Sequence, residues 1–268
     1  MTEETAPEPK PSSTILLVRD SASDMEVFMV QRHHQIDFAR GAMVFPGGKV
    51  EPSDEAPALR DHCSGIEDMG DVEIAVRVAA IRETFEECGV LLARPLRSDS
   101  LVDAARLAQL EATRRSALRD GELALSELVE EEELVLACDL LVHFAHWITP
   151  TILPRRFNTH FFLAVAPPDQ LALHDGEESI DSIWITPAEA VVEAEAGRRT
   201  IIYPTLLNLK KLGRSHNVAE AIEAARRDTI VTVLPRLGEG EDGEPVLCIP
   251  EEAGYGVTSA PIGKLPVP

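Results

Sequence analysis

The stretch Arg82-Glu83-Thr84-Phe85-Glu86-Glu87-Cys88-Gly89-Val90 constrains this chain more than any other. At about 100° of rotation per residue, Glu83, Glu86 and Glu87 share one face of a helix predicted over Val72 to Cys88. Ile74, Val78, Ile81, Phe85 and Cys88 share the opposite face, and Gly89 stops the helix. Such a helix docks its apolar back on a core and holds negative charge on its front. Like charges at i,i+3 and i,i+4 repel, so the cluster needs compensation. Oxygen-only donors suit a hard cation such as Mg²⁺ or Mn²⁺. A solvated acidic face is the alternative when the stretch is taken by itself.

Upstream stands Gly41-Ala42-Met43-Val44-Phe45-Pro46-Gly47-Gly48-Lys49-Val50-Glu51. Together the two stretches resemble the Nudix box, G-x5-E-x7-R-E-U-x-E-E-x-G-U, in which U is a bulky apolar residue. Gly48 opens the pattern, Asp54 stands at its first glutamate, and Arg82-Glu83 begins its second half. Glu86, Glu87, Gly89 and Val90 then fall in step. Three positions depart. Asp54 is one carbon shorter than glutamate, Thr84 takes an apolar position, and about twenty extra residues separate Asp54 from Arg82. A loop can absorb such an insertion at modest entropic cost. The resemblance implies the Nudix fold, an α/β/α sandwich with a central mixed sheet.

A chain of 268 residues with 44% hydrophobic content accommodates one large domain or one domain with an appendage. No apolar run reaches the length of a membrane span. Met1 to Ser13 is acidic and proline-rich without an apolar centre, so it reads as a disordered tail and not a signal peptide. The four cysteines, Cys63, Cys88, Cys138 and Cys248, form no paired motif. Cys88 and Cys138 read as small buried hydrophobes, and a reducing cytoplasm is the expected compartment. A net charge of −21 argues against nucleic acid or an anionic membrane as partner. The same field opposes a polyphosphate substrate unless divalent metal at the glutamates offsets it.

Strands are expected at Ser13 to Arg19, Val27 to Gln31, Ala42 to Phe45, Val142 to Thr149, Phe157 to Ala166 and Ile180 to Thr186. Helices are expected at Leu101 to Arg119, Leu125 to Ala137, Pro187 to about Glu195, Tyr203 to Leu212 and Ala219 to Arg227. Pro52 to Gly70 is polar and aperiodic, and reads as a flexible inserted loop. Ile230 to Leu234 and Val246 to Ile249 read as a terminal hairpin. The organisation expected is a tail over 1–13, a Nudix domain over 14–215 with its insertion at 52–71, and a C-terminal extension over 216–268. That hairpin extension has two open roles, covering a sheet edge or exchanging between subunits of a homodimer.

A second region narrows the resemblance. Phe144-Ala145-His146-Trp147-Ile148-Thr149-Pro150-Thr151 and Pro154-Arg155-Arg156-Phe157-Asn158-Thr159-His160-Phe161-Phe162 are similar to the branch of peroxisomal acyl-CoA diphosphatases. That branch also carries a long insertion inside its box. The likeness runs over roughly residues 14 to 215. The chain ends Pro266-Val267-Pro268 and not in a peroxisomal targeting tripeptide, which keeps the cytoplasm as the expectation.

The resemblance implies metal-dependent hydrolysis of a nucleoside diphosphate linkage, with coenzyme A or acyl-CoA as substrate. ADP-ribose, nucleotide sugars or dinucleotides are the alternative substrates, and a non-catalytic nucleotide-binding module is the alternative class. Glu86 and Glu87 are implied metal ligands, Glu83 a ligand or base, and the Gly47 carbonyl a further ligand. Arg82, four residues before Glu86, has the spacing of a helix ion pair and orients that carboxylate. Glu178 is a candidate for a further acid, with an ordinary acidic turn as the alternative. Asp54 reads as a loop-ordering residue. Arg32, His33, His34, Arg40, Gly48, Arg155 and Arg156 are candidate substrate contacts, since arginine grips phosphate bidentately; solvated loop charge is the alternative for them. Trp147 and Trp184 read as core.

Overall fold

The computed structural model describes residues 6–32, 41–170, 172, 179–240 and 242–264. Two long strands, β1 (Lys10–Asp20) and β2 (Met25–Arg32), lead to the short β3 (Met43–Val44) and β4 (Gly47–Lys49). Two 3₁₀ turns, Pro52–Glu55 and Pro57–His62, precede α1 (Asp71–Cys88). Next come β5 (Ala93–Pro95), α2 (Ala104–Leu110), a π-helical turn over Glu111–Arg115, α3 (Ser116–Arg119), α4 (Leu125–Glu131) and β6 (Leu134–Leu136). The chain returns to the centre with β7 (Val142–Ile148), β8 (Phe157–Val165) and β9 (Ser179–Ile185), followed by α5 (Pro187–Glu195), α6 (Tyr203–Leu212) and α7 (Val218–Arg227). It finishes with β10 (Thr232–Val233), β11 (Arg236–Glu239), β12 (Pro245–Cys248) and β13 (Ser259–Pro261).

The central sheet is mixed, in the order β10-β7-β8-β1-β2-β3, with β4 on β1 and β9 on β2. β1 alternates between two cores, because successive side chains of a strand point to opposite faces. Ile15 and Leu17 pack with Phe28, Phe162 and the back of α1, while Leu16 and Val18 pack with Leu163, Trp147, α6 and α7. That is the expected three-layer α/β/α sandwich. β1 runs parallel to β8 from Lys10↔Phe157 to Val18↔Val165. It pairs with β2 only at Val18–Asp20, and with β4 at Ser12–Thr14. β3 meanwhile pairs with β2 at Val30 and Gln31. The two short strands thus fill the wedge where β1 and β2 diverge, and they carry the glycine pair to the sheet's surface.

Several expectations are corrected. Residues 10–13 are not tail but the start of β1. The helix expected over Leu125 to Ala137 ends at Glu131; Glu133 turns the chain with φ 51, and Leu134–Leu136 pairs with β5 instead. Leu101 to Arg119 is divided by a π-helical turn. Pro52 to Gly70 is not a loose loop: Leu59 is buried in the core, His62 Nδ1 meets the Leu134 carbonyl at 3.0 Å, and Ser64 N–H donates to Leu136 O at 3.0 Å. The terminal hairpin is β11 with β12, because Pro235 ends β10, which joins β7 in parallel. Residues beyond 215 also enter the second core through Ala221, Val233, Ile249 and Tyr255. Among the described residues no helix is long and apolar enough to cross a membrane.

Candidate active site

α1 ends as its sequence requires. Gly89 adopts φ 69, the left-handed cap, and its N–H donates to Phe85 O at 3.0 Å. The helix is buried far beyond its apolar back: Arg82, Glu86 and Glu87 are all buried. The glutamate face therefore looks into a cleft, not into bulk solvent. Thr84 is fully buried too, and its hydroxyl donates to Ala80 O at 2.7 Å. An i−4 carbonyl satisfies the hydroxyl, which explains how the helix tolerates it at an apolar position.

Arg82 organises this face. Its Nε and Nη2 grip the two Asp54 carboxylate oxygens at 2.9 and 3.0 Å, and Nη2 also reaches Lys49 O at 2.9 Å. Nη1 donates to Glu83 Oε1 at 3.1 Å and to Glu86 Oε2 at 3.0 Å. Burial disfavours the guanidinium charge, but the Asp54 hydrogen bonds and the fields of Glu83, Asp54 and Glu86 outweigh it and raise the Arg82 pKa. Asp54 is 2% exposed and also accepts from Glu51 N–H at 2.8 Å. It therefore ties the insertion to the helix, the loop-ordering role expected of it.

Glu86 is different. Burial pushes its carboxyl up to about 7, with Arg82 opposing and Glu51 and Asp54 adding to the rise. A buried carboxylate with only a shared cation calls for further positive charge.

The glycine pair completes the site. Gly47 has φ 152, and a Cβ there would stand 2.2 Å from Ser13 O and 2.6 Å from Thr14 Cα. Its N–H donates to Glu87 Oε2 at 2.9 Å. A Cβ on Gly48 would stand 2.2 Å from Glu83 Oε1. Backbone closes the space at Gly47, whereas at Gly48 the Glu83 carboxylate fills it. Gly47, Gly48, Glu83, Glu86 and Glu87 line one cleft of about 490 Å³.

Among the described residues no three acidic, histidine or cysteine side chains already converge as ready-made metal ligands; Arg82 Nη1 sits between Glu83 and Glu86 instead. The donor set nevertheless fits a hard divalent cation: carboxylate oxygens on one face, one of them buried with a raised pKa.

Of the other expected residues, Arg32 lines the cleft, and among the described residues its buried Nε has no hydrogen-bond partner. Arg155 is exposed on the turn between β7 and β8, outside the residues that line the cleft. Arg156 is a brace, donating to Thr149 O at 3.0 Å and Pro7 O at 2.7 Å. His33, His34, Arg40 and Glu178 lie outside the described residues. Trp147 is buried as expected, although its ring also forms part of the cleft wall. Sequence reasoning missed Glu51 and Arg119, both on the cleft wall. Glu51 falls within the variable run of the box, and Arg119 comes from a helix whose spacing to the box carries no signal.

Comparison with known proteins gives the family and the fold. The chain is 25% identical over 232 residues to acyl-coenzyme A diphosphatase NUDT19 of Xenopus laevis, covering 72% of this chain and 61% of that protein. It is 28% identical over 201 residues to putative nudix hydrolase 7 of Caenorhabditis elegans, covering 70% and 56%. The chain thus spans roughly three fifths of the length of these curated relatives. Among solved structures, a NUDIX hydrolase from Alicyclobacillus acidocaldarius superposes with a TM-score of 0.68 at 28% identity, over 81% of this chain and 96% of that one. A family model, the NUDT19 Nudix domain, matches residues 56–212. The chain belongs to the NUDT19 Nudix domain family.

Proposed function

We propose that this chain is a metal-dependent diphosphatase that cleaves coenzyme A or its thioesters into 3′,5′-ADP and (acyl-)4′-phosphopantetheine. The observation that carries the reading is the gathering of Glu83, Glu86 and Glu87 against Gly47 and Gly48 in one cleft, with Arg82 and Asp54 fixing the carboxylates. The names of the relatives support the substrate class.

In this reading water adds to one phosphorus and the P–O–P anhydride bond breaks. Glu83, Glu86, Glu87 and the Gly47 carbonyl are the groups that would hold Mg²⁺ or Mn²⁺. A divalent cation bound there supplies charge neutralisation at the phosphate oxygens and lowers the pKa of water. Arg82 keeps Glu83 and Glu86 aimed into the cleft and stays anchored on Asp54 while they change partners. Gly48 leaves the Glu83 carboxylate room to face the cleft and receive a proton as base. Arg32 and Arg119 bring positive charge to a cleft in a chain of net charge −21, as a diphosphate requires.

The test is Mg²⁺- and Mn²⁺-dependent hydrolysis of coenzyme A, 3′-dephospho-coenzyme A, ADP-ribose and NADH, with Glu86→Gln alongside. Preferential cleavage of coenzyme A, reduced roughly 10²–10³-fold by the substitution, is the expected result. Preference for ADP-ribose keeps the chemistry and discards the substrate. Nucleotide binding without turnover of any of the four discards the enzyme.

A further inference from the structure

Two thiols that share no sequence motif meet away from the cleft. Cys63 follows the 3₁₀ turn Pro57–His62 of the insertion, and its backbone forms a parallel bridge with Leu136 of β6. The neighbouring residues hold that contact closed. Ser64 N–H donates to Leu136 O at 3.0 Å, and its hydroxyl donates to Asp139 Oδ1 at 2.5 Å. Arg94 grips the same carboxylate at 2.7 and 2.8 Å, and a Cβ on Gly65 would stand 2.6 Å from Asp139 Cβ. Residues 63–65 therefore lie along 136–139. Cys138, two residues past the bridge, is fully buried in the first core, and the half-buried Cys63 packs against that core. The Cys138 thiol donates a hydrogen bond to Cys63 Sγ. Both thiols are free, and among the described residues no third ligand joins them to hold a metal.

The two sulfurs differ in chemistry. The hydrogen bond from Cys138 lowers the Cys63 pKa; burial opposes it, and the Arg60 charge lowers it further. The same hydrogen bond, with burial, raises Cys138. Thiolate thus forms first on the partner that has an open face, and thiolate is the reactive form. A partly open thiolate with a second thiol in contact is the arrangement of an oxidation site beside its resolving cysteine.

We infer that Cys63 is a site of oxidation by a small peroxide and that Cys138 resolves it as a reversible disulfide. The Cys63 thiolate attacks one peroxide oxygen, the O–O bond breaks, and hydroxide leaves as the sulfenic acid forms. The Cys138 sulfur then gives up its proton and attacks Cys63 Sγ; the S–O bond breaks and the departing hydroxide takes the proton as water. Two thiols lose two electrons in all, and one peroxide is reduced to two waters. The new bond closes a loop that contains the whole of α1 and its three glutamates. The insertion, already tied to α1 through Asp54 and Arg82, is then fixed covalently to the connection between β6 and β7 as well.

The experiment exposes the folded full chain to hydrogen peroxide, blocks remaining thiols with N-ethylmaleimide and maps the peptides without reduction. Cys248 is the internal control: it is half-buried too, but lies on β12, away from the first core where the other three cysteines gather. The expected result is a joined Cys63–Cys138 peptide, two hydrogens lighter than the separate thiols and lost on adding dithiothreitol. Cys63 should be consumed about fivefold or more faster than Cys248, because its thiolate fraction is larger. In Cys63→Ser, a change at a half-buried position, Cys138 should survive the same exposure. Equal consumption of Cys63 and Cys248, or Cys63 still open to maleimide after peroxide, overturns the inference. So does Cys63 ending as a sulfonate, or Cys138 oxidised at the parental rate in Cys63→Ser. None of these readouts involves hydrolysis, so their failure leaves the proposed activity untouched.

Discussion

Asp54 and Arg82 form a buried pair at 3% or less side-chain exposure, and such pairs are costly to break from one side. Asp54→Ala leaves the Arg82 charge buried with less than its share of acceptors, so a loss of about 3–5 kcal/mol is expected in urea unfolding. The two glycines separate structure from chemistry. Gly47→Ala drives a Cβ into the backbone of Ser13 and Thr14, which must move, at a cost on the order of 2–4 kcal/mol. Gly48→Ala meets only the carboxylate tip of Glu83, a flexible end that can swing away. Its stability should stay within about 1 kcal/mol of the parent while turnover falls, and thermal unfolding with a parallel activity assay distinguishes the two.

Elements show how far the sequence was readable. α1, α6 and the paired β1 and β2 carry clear periodicity or apolar runs, and they lie where the pattern puts them. The glutamate face was legible because its spacing is local to one helix. Asp54 could be placed only through the resemblance, since the insertion hides its distance to Arg82. The insertion and β6 misled because their order comes from tertiary partners: His62 and Ser64 are held by Leu134 and Leu136, not by their own neighbours. Arg119 reaches the cleft through the packing of α3, which leaves no mark in spacing. A histidine group on β7 and β8 was likewise silent. His143 Nε2 and His160 Nδ1 stand 3.2 Å apart, and His160 stacks on His146 with centroids at 4.1 Å. Arg77 and Glu73 of α1 face the group.

Burial, with Arg77 and His146, lowers His143 to about 4; burial, with the neighbouring histidines, lowers His160 to about 3. Unfolded histidine takes its proton near 6.5, so the unfolded chain binds more protons between that pH and about 4. Stability is therefore full above pH 6.5 and falls as pH drops through this window. Solvent screening at these part-exposed rings holds the share of the pair to about 1–2 kcal/mol between pH 6.5 and 5. Urea midpoints at pH 7 and 5 should differ less in His160→Gln than in the parent. The carboxylates contribute equally to both proteins and cancel in that comparison.

Across the whole molecule, one hydroxyl adds a hydrogen-bonded tie to the packing of the segment after residue 228 in the second core. Tyr255 Oη accepts from Trp147 Nε1 at 2.8 Å and donates to Asn208 Oδ1 at 2.7 Å, joining the C-terminal unit to β7 and α6. Tyr255→Phe strands a buried indole N–H and a buried amide oxygen, and about 1–3 kcal/mol of stability should be lost on denaturant titration. The central parallel pair has a different kind of consequence. β1 and β8 touch at positions 147 apart in the chain. At typical synthesis rates of about 5–20 residues per second, β8 emerges from the ribosome roughly 7–30 s after β1. Through that interval β1 can lean on its short pairings with β2 and β4 and on α1, with the long edge that meets β8 bare. A pause in synthesis before residue 165 is therefore expected to lengthen the time that this apolar edge stands bare.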